Sequence, residues 1–222
     1  MAASTIARLT AIIGLVASLL VLILVAMNVV TGVSQEYFES VHPVQEYMQL
    51  LVRDARQLNL TFTVDNLFVV SYAAFFTGLA AVLRTSAHGT ILKIALGAML
   101  AVALLDSIEN HHITAMANAA LNGTPLLNEE IRAQAVLSSV KFHLSCFGGL
   151  ALAAVFPRVS VLGKTVVWLL AGYGFLGVLV LTSPASIVVL LALTRTALFV
   201  LAFLLSGIML WSWAPKEQET AA

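Results

Sequence analysis

The segment 106–112 holds the densest group of ionisable side chains in the apolar part of this chain, reading Asp-Ser-Ile-Glu-Asn-His-His. In an α-helix, Asp106, Glu109 and Asn110 are spaced i, i+3 and i+4, so their side chains share one face. Ionisable side chains inside a membrane are costly, and they usually have a function there. Carboxylates at such a depth can accept and return protons as general bases. We therefore predict that Asp106 and Glu109 are catalytic and that Asn110 binds a substrate.

A lysine and a histidine of the fourth apolar run could join this group. Lys141 lies about two to three turns inside that run, and His143 lies slightly deeper. Because consecutive helices are usually neighbours, we expect Lys141 to form an ion pair with Asp106 or Glu109. In the alternative interpretation, Lys141 extends its stem toward the headgroups and His143 only satisfies a local hydrogen bond. We predict catalytic roles for both, with His143 as a proton shuttle.

Two further runs carry polar side chains that could bind a substrate. Asp65 and Asn66 begin the second run, although an aspartate at this position is also typical of a helix cap. Tyr72 lies about two turns deeper, where its hydroxyl needs a partner such as Asp106. Arg195, near the middle of the sixth run, is the deepest charge in the chain. We expect it to pair with Asp106 or to hold an anionic substrate group.

Glu109 and His112 form a Glu-x-x-His spacing, which di-iron sites in helical bundles use in pairs together with further glutamates. The sequence has one such motif, so we do not predict a di-iron centre. A single divalent metal held by Glu109, His112 and His143 remains open, because zinc commonly takes three His or carboxylate ligands plus water. Haem, with His112 and His143 as axial ligands, is a less favoured alternative.

Long apolar helices must position these residues, since the chain of 222 residues is 60% hydrophobic and only 10% charged, with a mean hydropathy of +0.99. About 20 residues are needed to cross the hydrocarbon, and each crossing must be helical because lipid offers no partner for free backbone groups. We predict an all-α bundle of six transmembrane helices in one domain over residues 1–222, with spans at about 7–30, 66–84, 90–112, 133–156, 161–182 and 185–212.

The charges that flank these spans predict the orientation of the bundle. Basic residues gather at one end of the alternating helices, at Arg8, Arg84, Lys93, Arg158, Lys164 and Lys216. The loops at the opposite end mix a few arginines with more numerous acids. The positive-inside rule therefore places both termini in the cytoplasm and the polar cluster on the extracytoplasmic side. The composition, rich in alanine, leucine and valine, favours the inner membrane of a bacterium.

The long loop after the first span predicts an amphipathic helix over residues 43–60. Its apolar positions recur at helical spacing, at Val44, Tyr47, Met48, Leu51, Ala55 and Leu58. We expect this helix to lie on the outer membrane interface and to cover the bundle.

Three classes of function fit these patterns. The first, which we favour, is a small membrane enzyme with a charged pocket open to the extracytoplasmic side, acting on a lipid-like or anionic substrate by acid–base chemistry. The second is a transporter or ion-coupled carrier, although the inner half of the bundle is almost free of polar groups. The third is a non-catalytic sensor or assembly subunit whose polar network fixes helix register. Membrane lipid is an expected partner, and the lack of a basic tract argues against nucleic acid.

Overall fold

The described residues form seven α-helices, of which six are long and apolar enough to cross a membrane. A computed structural model of the chain describes residues 3–84, 89–183 and 185–213. The helices are α1 (Ala3–Thr31), α2 (Gln35–Phe38), α3 (Val44–Leu83), α4 (Gly89–Leu121), α5 (Asn128–Val155), α6 (Val161–Thr182) and α7 (Ala185–Trp213). For this part of the chain, the predicted all-α class is confirmed, and so is the presence of six helices long and apolar enough to cross a membrane. Lys216, which entered the predicted orientation, lies outside the described residues.

The six long helices pack in a closed ring. Each helix contacts the next one along the chain, and α1 also contacts α7, which closes the ring. The short helix α2 follows α1 on one end of this ring, and it packs against α3. We call this end the α2 end. Gly32, which follows α1, has a φ of 70°, a conformation that costs glycine little and that helps the chain leave the helix toward α2.

The structure differs from the sequence prediction at the α2 end. The predicted interface helix over 43–60 is the first half of α3, which continues without a break into the span. With 40 residues, α3 is about twice as long as the hydrocarbon is thick. No glycine or proline occurs between Val44 and Thr77, so nothing in the sequence ends the helix at Asp65. Helix α4 likewise extends past the predicted span, to Leu121.

Two separate hydrophobic cores result from these long helices. The larger core fills the ring and contains side chains of all six long helices. The smaller core lies at the α2 end, where Phe38 of α2 and Tyr47, Leu51 and Leu58 of α3 pack with Ile113 and other residues of α4. The apolar stripe predicted over 43–60 is therefore buried against other helices of this chain.

The contact between α1 and α3 depends on a small residue at position 78. A methyl group at Gly78 would clash with the side chain of Thr10, whose hydroxyl donates to the carbonyl of Ile6 at 2.8 Å. We expect Gly78→Ala to lower the free energy of unfolding by about 1–3 kcal/mol, because α1 and α3 must separate. Gly97→Ala is the control, since a methyl group there meets nothing within 4 Å. Equal thermal stability of the two variants in detergent would contradict this packing.

Candidate functional site

A layer of polar side chains separates the two cores. On α4, for example, the larger core ends at Ala103 and the smaller core begins at Ile113. We call the following set the polar layer: Asp65, Asp106, Glu109, Asn110, Gln134, Ser138, Lys141 and Arg195. Among the described residues, the buried charged side chains are Asp54, Asp65, Glu109, Lys141 and Arg195, and all except Asp54 belong to this layer. Charged side chains are rarely buried unless they are paired. A buried layer that contains four of them is therefore not explained by the ordinary packing of apolar helices.

Lys141 is the centre of the polar layer. Its side chain is only 6% exposed, and its Nζ atom lies 2.9 Å from Asp106 Oδ1, 3.3 Å from Glu39 Oε1 and in contact with Glu109 Oε2. The predicted ion pair with an acid of α4 is therefore present with both candidates. The third carboxylate, that of Glu39, follows α2 and was not foreseen. Three carboxylates around one ammonium leave this group with an excess of negative charge.

Glu109 lies on the closed side of Lys141. The residue is fully buried, and its Oε1 atom accepts hydrogen bonds from Gln134 Nε2 at 3.0 Å and from Ser138 Oγ. The Gln134 Oε1 atom in turn lies 2.7 Å from His112 Nδ1. Gln134 was missed by the sequence analysis, although it precedes Lys141 by seven residues and so shares its helix face. Glu109 Oε1 thus accepts two hydrogen bonds, whereas, among the described residues, Oε2 is held by its contact with Lys141 alone.

Asp106 occupies the opposite, more accessible side of Lys141. Tyr72 donates from its hydroxyl to Asp106 Oδ2 at 2.6 Å, as the sequence analysis expected. The two carboxylate oxygens are thus each held by a different donor, Lys141 on one and Tyr72 on the other. Since a carboxylate oxygen can accept more than one hydrogen bond, Asp106 keeps acceptor capacity for a further partner.

The predicted substrate-binding residues of α3 and α4 meet through one amide. Asn110 Nδ2 lies 2.6 Å from Asp65 Oδ2 and 3.1 Å from Asn66 Oδ1, so it donates to both side chains. Its Oδ1 atom accepts from Gln35 Nε2 of α2 at 3.2 Å. Asp65 and Asn66 lie in the middle of α3, and the capping role considered for Asp65 is therefore wrong.

A cavity of about 390 Å³ borders the polar layer. Its polar wall includes Asp65, Tyr72, Asp106, Lys141 and Arg195, together with residues of α2 and its flanks. Its remaining walls are mostly apolar and come from α1, α3, α4 and α7, at Val21, Leu24, Val25, Val29, Phe68, Met99, Leu193 and Phe199. Polar side chains of four helices thus meet at one cavity, while Glu109 and the histidines are not part of its lining.

The cavity reaches the outer surface of the bundle along the seam between α1 and α7. Val29 of α1 and Leu193 of α7 both line the cavity, yet they are 79% and 61% exposed. Because each of these side chains borders the cavity and is also exposed on the outside of the bundle, together they form a thin wall between the two. Both side chains are apolar and lie on helices that are long and apolar enough to span a membrane.

Arg195 lines the same cavity but does not pair with Asp106. The predicted pairing of these two residues is therefore wrong. Its guanidinium carbon lies 4.5 Å from the centre of the Phe142 ring, and its nearest carboxylate oxygen, Glu36 Oε1, is 4.0 Å from Nη2. Tyr72 and Lys141 already surround Asp106, which explains the difference. Partial burial and the neighbouring Glu39 carboxylate raise the pKa of Glu36, although Arg195 and Lys141 act against this rise.

The structure does not bring the predicted metal ligands together. His143 is exposed, and its Nδ1 atom lies 2.7 Å from the Ser139 carbonyl oxygen of its own helix. His112 instead contacts Gln134. Within residues 3–84, 89–183 and 185–213, no group of three or more His, Cys, Asp or Glu side chains is arranged to hold a metal ion. His143 also lies outside the lining of the cavity that Asp106 borders.

The fold and the site together define the class of this protein, a multi-pass helical membrane protein with a polar layer beside a cavity. Comparisons with protein-family models, with curated proteins and with solved structures found no match for this chain.

Proposed function

We propose that this protein is a small integral membrane enzyme that takes a lipid-like substrate from the bilayer and transfers a proton with Asp106. The observation that supports this most strongly is a cavity whose walls are apolar at the α1–α7 seam and carry the Asp106 carboxylate at the other side. A lipid-like molecule could place its chain against Val25 and Leu193 and its polar part against Asp106. Pockets that combine apolar walls with a few polar groups are typical of small-molecule sites.

In this proposal, Tyr72 and Lys141 position Asp106 rather than react themselves. A general base must be held within hydrogen-bond reach of the proton that it removes, and two fixed donors restrict the carboxylate to one orientation. Glu109 contributes by holding Lys141 from the buried side. The geometry therefore favours Asp106 over Glu109 as the base.

The orientation is part of the proposal. Arg8 on α1, Arg84 after α3 and Lys93 on α4 lie at the end of the ring opposite α2. If that end is cytoplasmic, as the positive-inside rule requires, the cavity lies toward the extracytoplasmic leaflet of a bacterial inner membrane.

The carrier alternative has less support. Among the described residues, no buried Asp, Glu, Lys or Arg side chain lies between the polar layer and the opposite end of the ring. The non-catalytic alternative draws support from Glu109, whose Oε1 atom accepts hydrogen bonds from Gln134 and Ser138 outside the cavity lining. We propose that Glu109, Gln134 and Ser138 fix the register of the helices, and that the residues of the layer that line the cavity carry out the chemistry.

The test is direct conversion of a lipid by the purified protein. The wild-type protein is reconstituted into nanodiscs made from a total bacterial lipid extract, and the lipids are followed by mass spectrometry over time. We expect one lipid class to decrease while a product accumulates, with no change in nanodiscs that lack the protein. An unchanged lipid profile across extracts and pH values would contradict the proposed enzyme.

A further inference from the structure

We infer that Arg195 binds the oxyanion of an anionic amphiphile, such as its phosphate or carboxylate group. This inference depends on the proposed use of the cavity by an amphiphile, and it adds the chemistry of the headgroup. It also separates the roles of the two cations of the site, which the sequence could not distinguish.

Arg195 is a buried cation whose hydrogen-bonding capacity is unused. The residue is only 7% exposed, and its guanidinium donates no hydrogen bond to any of the described residues. Glu36 lies 4.0 Å away, beyond hydrogen-bond distance. Among the described residues, the enclosed side-chain atoms without a hydrogen-bond partner are Asn28 Oδ1 and Glu109 Oε2, so the Arg195 nitrogen atoms remain accessible from the cavity and can bind a ligand there.

The surroundings of Arg195 suit a planar or tetrahedral oxyanion. Its guanidinium carbon lies over the Phe142 ring, 4.5 Å from the ring centre. This cation–π contact involves no oxygen acceptor, so the guanidinium can still form paired hydrogen bonds with an oxyanion. Arg195 and the neighbouring Thr196 both line the cavity, so an oxyanion in the cavity can reach the guanidinium.

Charge balance assigns the anion to Arg195 rather than to Lys141. Lys141 is surrounded by the carboxylates of Glu39, Asp106 and Glu109, and an additional anion there would be repelled. Among the described residues, the one carboxylate within 4.0 Å of Arg195 is that of Glu36, which belongs to the short helix α2 and is largely exposed. We therefore expect Glu36 to compete weakly with the ligand and to move aside when an oxyanion binds.

The probes are dodecyl phosphate, dodecanol and inorganic phosphate, which share either the chain or the headgroup. Binding of radiolabelled dodecyl phosphate to the purified protein in a neutral detergent is measured, and the two other molecules serve as competitors. We expect dodecyl phosphate to bind about 10- to 100-fold more tightly than dodecanol, given the usual strength of hydrogen bonds to charged groups. Inorganic phosphate is expected to compete only at far higher concentration, because it lacks the chain.

Variants assign the effect to Arg195. Arg195→Gln is expected to reduce dodecyl phosphate binding to the level of dodecanol, and Arg195→Lys to give an intermediate affinity because it loses the paired geometry. Glu36→Gln is expected to strengthen binding. Arg132→Gln and Glu129→Gln, at exposed positions outside the cavity lining, are matched charge controls that should leave binding unchanged.

The outcomes separate the inference from the proposed function. Equal affinity for dodecyl phosphate and dodecanol, or full binding by Arg195→Gln, would overturn the oxyanion site and leave the amphiphile cavity standing. Inorganic phosphate competing as well as dodecyl phosphate would show a site for free phosphate and overturn the amphiphile part. If neither chain-bearing probe binds, both proposals fail. Should Arg195→Gln unfold, the Arg195→Lys and Glu36→Gln variants still decide, since the inference requires opposite changes in affinity.

Discussion

Replacing Lys141 by methionine is expected to lower the free energy of unfolding by about 3–5 kcal/mol, the usual result of removing one partner of a buried ion group. The change leaves the carboxylates of Glu39, Asp106 and Glu109 facing one another without a cation. Methionine keeps most of the side-chain volume, so the expected loss of stability comes from the missing charge rather than from a new cavity. Thermal or denaturant unfolding in detergent micelles measures the effect.

Two control variants test this explanation for Lys141. Lys164→Met changes an exposed lysine outside the polar layer and should alter stability little. Adding Asp106→Asn and Glu109→Gln to Lys141→Met removes two of the stranded charges, and it should restore much of the lost stability. If Lys141→Met were as stable as Lys164→Met, the three carboxylates could not be paired through Lys141 as the structure has them.

Asp106→Asn is expected to lower the rate of lipid conversion by about 10²- to 10⁴-fold, the range found when a general base is removed. Asparagine has nearly the same shape, so it can still accept from Tyr72 while it can no longer take up a proton. Initial rates of product formation in nanodiscs are the measurement. Substrate binding should change far less than the rate, because the cavity walls stay the same.

Glu109→Gln distinguishes a base from a positioning residue. Because Glu109 is fully buried and lies outside the cavity lining, its amide variant should reduce the rate less than Asp106→Asn does, while it weakens the hold on Lys141 and so lowers stability. The exposed Glu129→Gln variant should match the wild type in both respects. Equal rates for wild type, Asp106→Asn and Glu109→Gln would end the assignment of Asp106.

The spanning helices and part of the site could be predicted because both follow from local patterns. A run of about 20 apolar residues is read directly from the sequence, and α6 and α7 begin and end within a residue of the predicted spans. The partners of Lys141 on α4 followed from the adjacency of consecutive helices. The contact between Tyr72 and Asp106 followed from the need of a buried hydroxyl for an acceptor.

The rest of the site depends on where distant segments fold, which spacing cannot show. Glu36 and Glu39 lie at a four-residue helix without a periodic pattern, and yet they reach Arg195 and Lys141. The continuation of α3 through Asp65 was missed because an aspartate followed by asparagine resembles a helix start. Pairing Arg195 with Asp106 was wrong because depth along a helix does not tell which way the side chain points.

The most direct test of the convergence of α3, α4, α5 and α7 on one lipid-accessible cavity is photolabelling from the bilayer. A phospholipid with a diazirine close to its headgroup is activated in nanodiscs, and the labelled peptides are identified by mass spectrometry. We predict adducts concentrated on the cavity-lining segments 21–29 of α1 and 192–199 of α7, and their loss in Val25→Trp, which fills the seam. Adducts spread evenly over the outward faces of all helices and unaffected by Val25→Trp would contradict the cavity.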